Sequence, residues 1–360
     1  MTQRYAVIMA GGKGERFWPL STSKHPKQLL NLIGEKPLIA QAVERLEGLL
    51  PLNHIYIVTN ADLLEATRKA LPTLPTQNIV GEPIGRDTAA AVACSAALIK
   101  AQDPNAVFAI LTADHVMGQI DQFKTTLHAA MKCAAQNDVL LTIGIKPTEP
   151  ATGFGYIKIN KKIETIDGVN FFTVQKFVEK PNLETAKSYL STGGFYWNSG
   201  MFIWSVSSIY NAFLAHDPDR ATLMDTLTPY AQNGKIDEGM ALTYPTLEKI
   251  SIDYALMEKA KNIIVAAGTF TWDDVGSWPA LENHFPQDQQ NNTAIGDVEL
   301  IHCSNNLIYS KNHLTALIGV ENLIVVQAEG VTLICPKDQA QNIKQLLANL
   351  RTSNQHTHLL

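Results

Sequence analysis

A glycine loop of sequence Gly11-Gly12-Lys13-Gly14 directly follows the apolar run Ala6–Met9 and Ala10 near the start of the chain. Glycine exposes backbone N–H groups that can converge on an anion, because no Cβ shields them. Arg16, Lys24 and Lys27 add fixed positive charge shortly afterwards. This combination predicts a loop that binds phosphate groups.

Two common glycine loops do not fit this spacing. The dinucleotide fingerprint, counted from Gly12 and Gly14, requires glycine where Phe17 stands. A Walker loop ends on Gly-Lys followed by Ser or Thr, whereas Lys13 is followed by glycine. Phe17 also disfavours a nicotinamide dehydrogenase, because these enzymes need the dinucleotide fingerprint. An ordinary strand-to-helix turn explains one glycine but not three glycines with neighbouring cations.

Acidic residues follow two further predicted strands. The turn Gly81–Thr88 carries Glu82, Arg86 and Asp87, fixed donors and acceptors of the kind that a nucleobase edge requires. Capping of the next helix by Asp87 or Thr88 explains only one of these residues. The apolar run Ala109–Ala113 ends on Asp114. Asp114 is either the N-cap of the next segment or a ligand of Mg²⁺, which is held at phosphate sites by one or two carboxylates.

The middle of the chain carries residues suited to a sugar phosphate. A sugar site combines aromatic walls, close backbone approach at glycine and a few directed polar groups. Glu179 can accept from sugar hydroxyls, Asn198 can donate and accept, and Lys180 can hold a phosphate. Taken singly, a surface ion pair at Glu179-Lys180 and a tight turn at Asn198 explain these residues equally well.

Taken in order, the motifs resemble the sugar-1-phosphate nucleotidyltransferases. The tryptophan of Arg16-Phe17-Trp18-Pro19-Leu20 and the triplet Pro26-Lys27-Gln28 point to the mannose-1-phosphate guanylyltransferase branch. The later matches are Glu82-Pro83, Arg86-Asp87-Thr88-Ala89, Asp114-His115, Thr152-Gly153-Phe154-Gly155-Tyr156, Glu179-Lys180-Pro181 and Trp197-Asn198-Ser199-Gly200-Met201-Phe202. Many members carry asparagine where this chain has Asp87.

The resemblance implies transfer of GMP from GTP to α-D-mannose 1-phosphate, with Mg²⁺ as cofactor and Mn²⁺ as the alternative. In relatives the aspartate two positions before the glycine of Asp274-Val275-Gly276 binds metal, which selects Asp274 rather than Asp273. The implied catalytic residues are Arg16, Lys27, Asp114, Lys180 and Asp274, with Asp114 and Asp274 on the metal. The implied nucleotide-binding residues are Gly11, Gly12, Gly14, Glu82, Arg86 and Asp87. Those implied for the sugar phosphate are Gly155, Glu179, Lys180 and Asn198.

Two alternatives stay open at this point. One is the same reaction with another sugar 1-phosphate or another nucleotide. The other is a non-catalytic subunit that senses nucleotide sugars, which we expect to have lost the metal carboxylates or Lys27. The motif around Ser251–Lys259 also resembles the family, although an ordinary helix explains most of it.

Elements that position these residues follow from the hydrophobic pattern. In residues 1–145, apolar runs alternate with helical patterns, which predicts a Rossmann-like, mainly parallel sheet with helices on both faces and ligands at the carboxyl ends of its strands. The predicted strands are Tyr5–Met9, Ile55–Thr59, Gln77–Val80, Val107–Thr112 and Val139–Ile145. The predicted helices are Pro37–Glu47, Ala61–Ala70, Thr88–Lys100 and Ile120–Gln136.

The last seventy or so residues differ in pattern. Their closely spaced strands leave no room for helical crossovers and predict a small β unit, which the family uses as a β-helix-like piece for packing and subunit contact. We expect a catalytic domain over 1–290, with a nucleotide half at 1–145 and a sugar-phosphate half at 146–290, and a β unit over 291–360 through which a homodimer can form. The predicted elements are Ala294–Cys303, Asn306–Tyr309, Leu314–Val320, Leu323–Gln327 and Val331–Cys335, then a closing helix Ile343–Leu350 and a loose tail Thr352–Leu360.

Composition excludes several classes of protein. The formal charge of −5 argues against a nucleic-acid binder, and no apolar run has the length of a membrane span or a secretory signal. The four cysteines are dispersed and form no metal-binding pair, so we expect reduced thiols and a cytoplasmic protein. The chain ends before an isomerase domain would fit, so isomerase activity is not expected.

Overall fold

A computed structural model of the chain describes residues 2–353 and 356–360. The chain divides into two compact units. The first consists of Met1–Gly11, Ala42–Ala113 and Met117–Trp272, and the second of Gly12–Gln41, Asp114–Val116 and Asp273–Leu360. These units do not follow the expected division at residue 290, since Gly12–Gln41 groups with the C-terminal residues. The division into a domain over 1–290 and one over 291–360 stays a prediction about sequence domains.

The first unit is built on a sheet of nine described strands in the order β3-β2-β1-β4-β9-β6-β10-β8-β7. Only β8 and β9 run against the other seven, because both pair antiparallel with every neighbour. The predicted mainly parallel sheet is therefore confirmed. The nine strands are β1 (Arg4–Ala10), β2 (Ile55–Asn60), β3 (Ile79–Glu82), β4 (Val107–Thr112), β6 (Leu140–Ile145), β7 (Tyr156–Ile166), β8 (Val169–Val178), β9 (Phe195–Ser205) and β10 (Ile263–Gly268). Two further short strands, β5 (Val116–Met117) and β11 (Trp272–Asp273), form a separate two-stranded sheet.

Helices cover this sheet and supply much of its apolar contact. Helix α3 is apolar on all sides, and its residues Ala89–Ile99 are buried, as expected of a helix enclosed by other elements. A short π-helical turn, Asp253–Met257, lies near the end of the helical region. The described helices of the whole chain are α1 (Leu38–Glu44), α2 (Leu64–Ala70), α3 (Asp87–Gln102), α4 (Ile120–Gln136), α5 (Leu183–Thr192), α6 (Val206–His216), α7 (Pro218–Gln232), α8 (Ile236–Thr243) and α9 (Ile343–Ser353). Helix α9 belongs to the second unit. Among the described residues, none of these helices has the length and apolar character needed to cross a membrane.

The carboxyl ends of the parallel strands meet at one edge of the sheet. Ala10 at the end of β1 lies beside Thr59, and Asn60 at the end of β2 lies beside Glu82 at the end of β3. The apolar runs of β1 and β4 are buried on both faces, which is typical of central parallel strands. This register brings Gly11 and Glu82 to the same edge.

The second unit contains the C-terminal sheet in the order β12-β13-β14-β15, with β15 antiparallel to β14. Its strands are β12 (Thr293–Ile301), β13 (Leu307–Ile318), β14 (Leu323–Ala328) and β15 (Val331–Pro336). The prediction of two separate strands, Asn306–Tyr309 and Leu314–Val320, was wrong, because β13 is a single strand. The polar run Ser310–His313 marks an irregularity within one strand, because the register against β12 shifts between Ser310 and Thr315.

The residues that follow the glycine loop belong to the hydrophobic core of this second unit. Phe17 and Trp18 are buried with Trp278, Tyr309 and Leu347. The ring centroids of Phe17 and Trp278 are 5.2 Å apart, and the Trp278 indole donates to the carbonyl of Trp18 at 3.1 Å. Aromatic burial on both sides therefore holds the segment that follows Gly14 in one conformation.

The end of the chain was expected to form a loose tail from Thr352. In the structure α9 continues to Ser353, and a short 3₁₀ turn spans Thr357–Leu359. The Trp18 indole donates to the carbonyl of Leu359 at 2.8 Å. The described part of the tail is thus bonded to the segment that carries the glycine loop.

Candidate active site

A cavity of about 240 Å³ in the second unit gathers charged residues that lie far apart in sequence. Its lining includes the cations Lys13, Arg16, Lys27 and Lys344 and the carboxylates Asp114 and Asp274. Gly14 and Gly276 form parts of its backbone wall. The structure thus brings together Gly14, Arg16, Lys27, Asp114 and Asp274 as the sequence predicts. Lys344 was not predicted.

Lys27 is fixed at the centre of this group. It is 4% exposed, and its ammonium donates to Asp114 Oδ2 at 2.9 Å and to the carbonyl of Asp274. Among the described residues, two of its three N–H donors are thereby used, which leaves one for a ligand. Since Lys27 is nearly buried and paired, its position is set by the surrounding residues rather than by solvent.

Gly14 explains how Lys27 comes so close to the loop. Gly14 has a φ of +63°, and a Cβ at this position would lie 2.3 Å from Lys27 Cβ. Only glycine fits such a close approach in the left-handed region. Gly12 has nothing within 4 Å of the position of a Cβ, so the space beside it is open for a ligand.

Arg16 presents an unsatisfied donor in the same cavity. Its Nη1 donates to the carbonyl of Gly276 at 3.2 Å. Its buried Nε has no hydrogen-bond partner among the described residues. A buried guanidinium donor without a partner is costly unless a ligand completes it, and phosphate is a suitable acceptor.

The two carboxylates of the cavity differ in their pKa values. Burial disfavours the charged form of Asp114, but the Lys27 ammonium, His115 and the bond to Lys27 outweigh burial and lower its pKa. Burial raises the pKa of Asp274 to about 6, and neighbouring Asp273 and Asp114 add to this rise while Lys27 opposes it. Burial is therefore the main reason why the charged form of Asp274 is disfavoured, and a bound dication would favour that form.

A divalent cation fits these residues only with help from the substrate. No group of three His, Cys, Asp or Glu residues is placed to hold a metal in the part of the chain that the structure describes. Mg²⁺ at phosphate sites commonly takes one or two carboxylates and completes its shell with phosphate oxygens and water. Asp114 and Asp274 match that arrangement. The metal itself stays a prediction.

Asp273 has a different role from its neighbour. Its Oδ1 accepts from the N–H of Val275 at 2.7 Å, and its Oδ2 lies 3.0 Å from His284 Nε2. These bonds hold the turn that presents Asp274 to the cavity. Asp274 lines the cavity and Asp273 does not, in agreement with the choice of Asp274 from the resemblance.

A second group of predicted residues lies at the sheet edge of the first unit. Glu82 is 6% exposed, and its Oε1 has no hydrogen-bond partner among the described residues. Its Oε2 would lie 3.8 Å from a Cβ on Gly11. Burial raises the pKa of Glu82 to about 7, with the Tyr244 hydroxyl opposing the rise and Asp87 adding to it. A carboxylate with one unpartnered oxygen at this edge is suited to accept a hydrogen bond from a ligand.

Arg86 and Asp87 are engaged within the protein. The Arg86 guanidinium donates to the carbonyls of Tyr244 and Pro245 at 2.9 Å and 2.6 Å. Asp87 has a φ of +65°, and its Oδ1 accepts from the N–H of Thr88. The left-handed conformation suits asparagine and aspartate, which accounts for either residue at position 87. In this structure Arg86 anchors the turn, and its contact with a nucleotide stays a prediction.

The predicted sugar-phosphate residues also meet in the first unit. A Cβ on Gly155 would lie 2.5 Å from Glu179 Oε2 and 3.3 Å from Asn198 Cβ. The Asn198 N–H donates to the carbonyl of Gly155 at 2.8 Å, and Lys180 forms an ion pair with Glu179. Gly155 is therefore required for the close packing of the two polar side chains. The structure brings Gly155, Glu179, Lys180 and Asn198 together.

Aromatic rings stand next to this group. The Phe154 ring centroid lies 5.1 Å from that of Trp197 and 5.0 Å from that of Trp272. Phe154 and Trp197 are the chain neighbours of Gly155 and Asn198. This arrangement agrees with the aromatic walls that a sugar site requires.

Asp253 is a member of this group that sequence reasoning missed. Its Oδ1 accepts from Asn198 Nδ2 at 3.0 Å. Burial raises its pKa to about 6, and the charge of Glu179 adds to the rise. Asp253 begins the π-helical turn, a feature that often occurs at functional sites. The motif Ser251–Lys259 contained this signal, but its helical composition concealed it.

Comparison with known proteins identifies the family. The model of the nucleotidyl transferase family matches residues 5–291. The chain belongs to the nucleotidyl transferase family. Residues 296–350 match a second model, the MannoseP isomerase/GMP-like beta-helix domain, which agrees with the predicted β-helix-like unit.

Individual relatives place the chain more closely within this family. It is 35% identical to the mannose-1-phosphate guanylyltransferase of Salmonella muenchen, over 99% of this chain and 76% of the relative. It is 36% identical to the alginate biosynthesis protein AlgA of Pseudomonas syringae pv. tomato, over 96% and 71%. A crystal structure of mannose-1-phosphate geranyltransferase from Thermus thermophilus matches with a TM-score of 0.85 and 32% identity, over 97% of this chain and 100% of the other. These matches confirm the predicted resemblance to the mannose-1-phosphate guanylyltransferase enzymes.

Proposed function

We propose that the protein transfers GMP from GTP to α-D-mannose 1-phosphate and releases GDP-mannose and pyrophosphate. The observation that carries this proposal is the cavity in which Arg16 and Lys27 stand beside Asp114 and Asp274. Relatives with the name mannose-1-phosphate guanylyltransferase cover nearly the whole chain, which supports the choice of nucleotide and sugar.

The glycine loop and its cations are assigned to the triphosphate. Backbone N–H groups at Gly11, Gly12 and Gly14 can donate to phosphate oxygens. The unpartnered Nε of Arg16 and the third N–H donor of Lys27 can also donate to phosphate oxygens. Both cations would stabilise the negative charge that accumulates on pyrophosphate as it leaves.

Asp114 and Asp274 are assigned to Mg²⁺, with Mn²⁺ as the alternative. When bound, the ion would neutralise phosphate charge and polarise the α-phosphorus. The two carboxylates would orient it, and Asp273 would hold the turn that places Asp274.

The sugar phosphate is assigned to the group around Gly155. Lys180 is 62% exposed and can swing from Glu179 to a phosphate. Glu179 and Asn198 would bind sugar hydroxyls, and the N–H to carbonyl bond with Gly155 fixes the backbone of Asn198. These roles match the chemistry of each side chain.

The reaction needs no nucleophile from the protein. An oxygen of the sugar phosphate attacks the α-phosphorus in line, the new P–O bond forms, and the bond to the β-phosphate breaks with its electron pair on pyrophosphate. Such transfers rest on positioning and charge neutralisation. The residues assigned above supply both.

The decisive experiment incubates the pure protein with each of four nucleoside triphosphates against mannose and glucose 1-phosphates and measures pyrophosphate. We expect release with GTP and mannose 1-phosphate in the presence of Mg²⁺. Preference for another pair would assign the same reaction to other substrates. No release with any pair would support a non-catalytic sensor and contradict the proposal.

An Asp274→Asn variant in the same assay tests the metal assignment. Loss of one electrostatic contact to the transition state typically lowers turnover roughly 10²–10³-fold. Asp288→Asn is the matched control, because Asp288 accepts from Asn292 in a turn outside the cavity. Near-normal Mg²⁺-dependent release by Asp274→Asn would contradict the metal assignment. The cytoplasmic location and the lack of isomerase activity stay predictions.

A further inference from the structure

Helix α9 contributes one side chain to the phosphate cavity. Lys344 lines this cavity together with Arg16, Lys27 and Asp274. It is exposed, and it has no ion pair or hydrogen bond within residues 2–353 and 356–360. A free ammonium at the rim of a site that holds three other cations requires an explanation.

The geometry of α9 directs Lys344 towards the glycine loop. Ile343 and Leu347 are 3% and 2% exposed and anchor the helix in the core of the second unit. Lys344 and Arg351 are seven residues apart and therefore share another face. On that face Arg351 Nη2 donates to Glu15 Oε1 at 2.7 Å. The ion pair and the buried residues together fix the side of α9 that faces the loop.

Local helix preferences do not account for a lysine at this position. Lys344 lies in the first turn of α9, which contains no acidic residue. The helix dipole favours anions at the N-terminus and opposes cations there. A bound polyanion would reverse this balance, since it interacts favourably with both the helix terminus and the ammonium.

We propose that Lys344 is a further nucleotide-binding residue, which contacts the β- and γ-phosphates of the nucleotide and then the pyrophosphate product. The inference rests on the proposed function, because it uses the triphosphate assignment of the same cavity. It gives the C-terminal β unit a part in substrate binding in addition to packing. The lysine ammonium is a compact charge on a flexible side chain, unlike the planar guanidinium of arginine, which binds phosphate through two N–H groups.

The test measures binding of inorganic pyrophosphate with Mg²⁺ to the full chain by titration calorimetry at low and high salt. Lys344→Gln should weaken the affinity about three- to tenfold, as expected for one exposed contact between charges. Its affinity should also depend less on salt. Lys311→Gln is the matched control, because it removes the same charge from the same unit at an exposed position outside the cavity. We expect it to bind within about twofold of the wild type.

Lys344→Arg and steady-state kinetics complete the design. The arginine variant keeps the charge and should bind pyrophosphate within about twofold of the wild type. For Lys344→Gln we expect a higher KM for GTP and an unchanged KM for the sugar phosphate. If all variants bound pyrophosphate equally and the wild type turned over normally, the role of Lys344 would be overturned. The proposed function would then be left intact. An equal loss in Lys344→Arg would show a packing effect and also overturn it, whereas no turnover by the wild type would remove the proposed function itself.

Discussion

At the scale of single residues, Glu82 combines deep burial with an unfilled acceptor. A carboxylate that is 6% exposed with a free oxygen destabilises the protein unless a ligand completes its hydrogen bonds. Guanine presents two donors on one edge, N1–H and the 2-amino group, and a carboxylate can accept from both. Glu82 is therefore the residue we expect to select guanine.

The variant Glu82→Gln tests this selection. Replacing one carboxylate oxygen by an amide donor should raise the KM for GTP roughly tenfold or more, because the 2-amino group then faces a donor while N1–H keeps the remaining oxygen. The ratio of kcat/KM for GTP over inosine triphosphate, which lacks the 2-amino group, should fall towards one. An unchanged ratio would assign base recognition to other residues.

The same variant, which should weaken GTP recognition, should stabilise the folded protein at high pH. The pKa of Glu82 is raised from 4.5 to about 7, so the folded protein holds this proton more tightly than the unfolded chain. Stability from this group is therefore lost as pH rises from about 5 to about 7. Glu82→Gln removes the buried charge and should be up to ~3 kcal/mol more stable than the wild type at pH 8. Chemical unfolding at pH 5 and pH 8 measures this, and a difference that shrinks with rising pH would contradict the sign.

Asp253 acts through Asn198, whose amide it holds at 3.0 Å. Asn198 Oδ1 also accepts from the N–H of Gly200 at 3.2 Å. Without Asp253 the amide nitrogen loses its acceptor, and we expect the side chain to be held less firmly in the orientation proposed for sugar binding. Asp253→Ala should therefore raise the KM for mannose 1-phosphate about tenfold and leave the KM for GTP unchanged. Asp253→Asn keeps an acceptor and should recover much of the loss.

Asp219→Asn provides the control for Asp253, since Asp219 is an exposed residue of α7 in the same unit. A merely structural role for Asp253 would lower the thermal midpoint and kcat without separating the two KM values. That pattern, or an unaltered enzyme, would contradict the positioning role.

At the scale of elements, the glycine loop has two kinds of glycine. Gly14 is confined by Lys27, whereas Gly12 borders open space. Gly14→Ala should displace Lys27, lower stability by about 1–3 kcal/mol and reduce turnover at least about 100-fold. Gly12→Ala should fold with an unchanged midpoint and show only a raised KM for GTP, since its methyl group would occupy space assigned to phosphate.

Thermal unfolding and kinetics of the two variants separate these effects. Gly48→Ala is a control for the intrinsic effect of a left-handed glycine, because Gly48 has a φ of +77° with nothing near its Cβ position. If Gly14→Ala behaved like Gly48→Ala in both measurements, the close approach to Lys27 would not be the reason for glycine at position 14.

At the scale of the whole molecule, the C-terminal sheet exposes apolar residues that suit a subunit contact. Ile301 and Ile318 pair across β12 and β13 and are 53% and 69% exposed. Leu314 and Ile334 are 58% and 59% exposed on the same sheet. Several exposed apolar side chains on one sheet are a feature of many protein interfaces. We propose that a second copy of the chain covers this surface, which is the homodimer expected from the sequence.

Ile318→Lys should weaken this dimer at least about tenfold, because it places a charge in the apolar contact. Sedimentation at several concentrations measures the change. Leu242→Lys is a closely matched control, since Leu242 is also 69% exposed but lies on α8 in the first unit. A monomeric wild type, or equal dimerisation of all three proteins, would contradict the proposal.

Sequence reasoning identified most of the elements and many of the site residues. Strands such as β4 and helices such as α4 have the predicted bounds, because their apolar periodicity continues to their ends. The single strand β13 was missed at Ser310–His313, where polar residues resemble a turn but form an irregularity. The role of Arg86 also exceeds what a motif shows, because its bond to Tyr244 joins residues far apart in the chain and depends on the fold.

The sequence by itself determined most of the element types and many of the residues that could hold phosphate, metal and sugar. These properties follow from local periodicity, backbone freedom and side-chain chemistry, which neighbouring residues fix. Only the tertiary structure decided that Lys344 shares a cavity with Arg16 and that Asp253 holds Asn198. The reason is physical: contacts between residues far apart in the chain depend on strand order, register and core packing, and no local pattern specifies these.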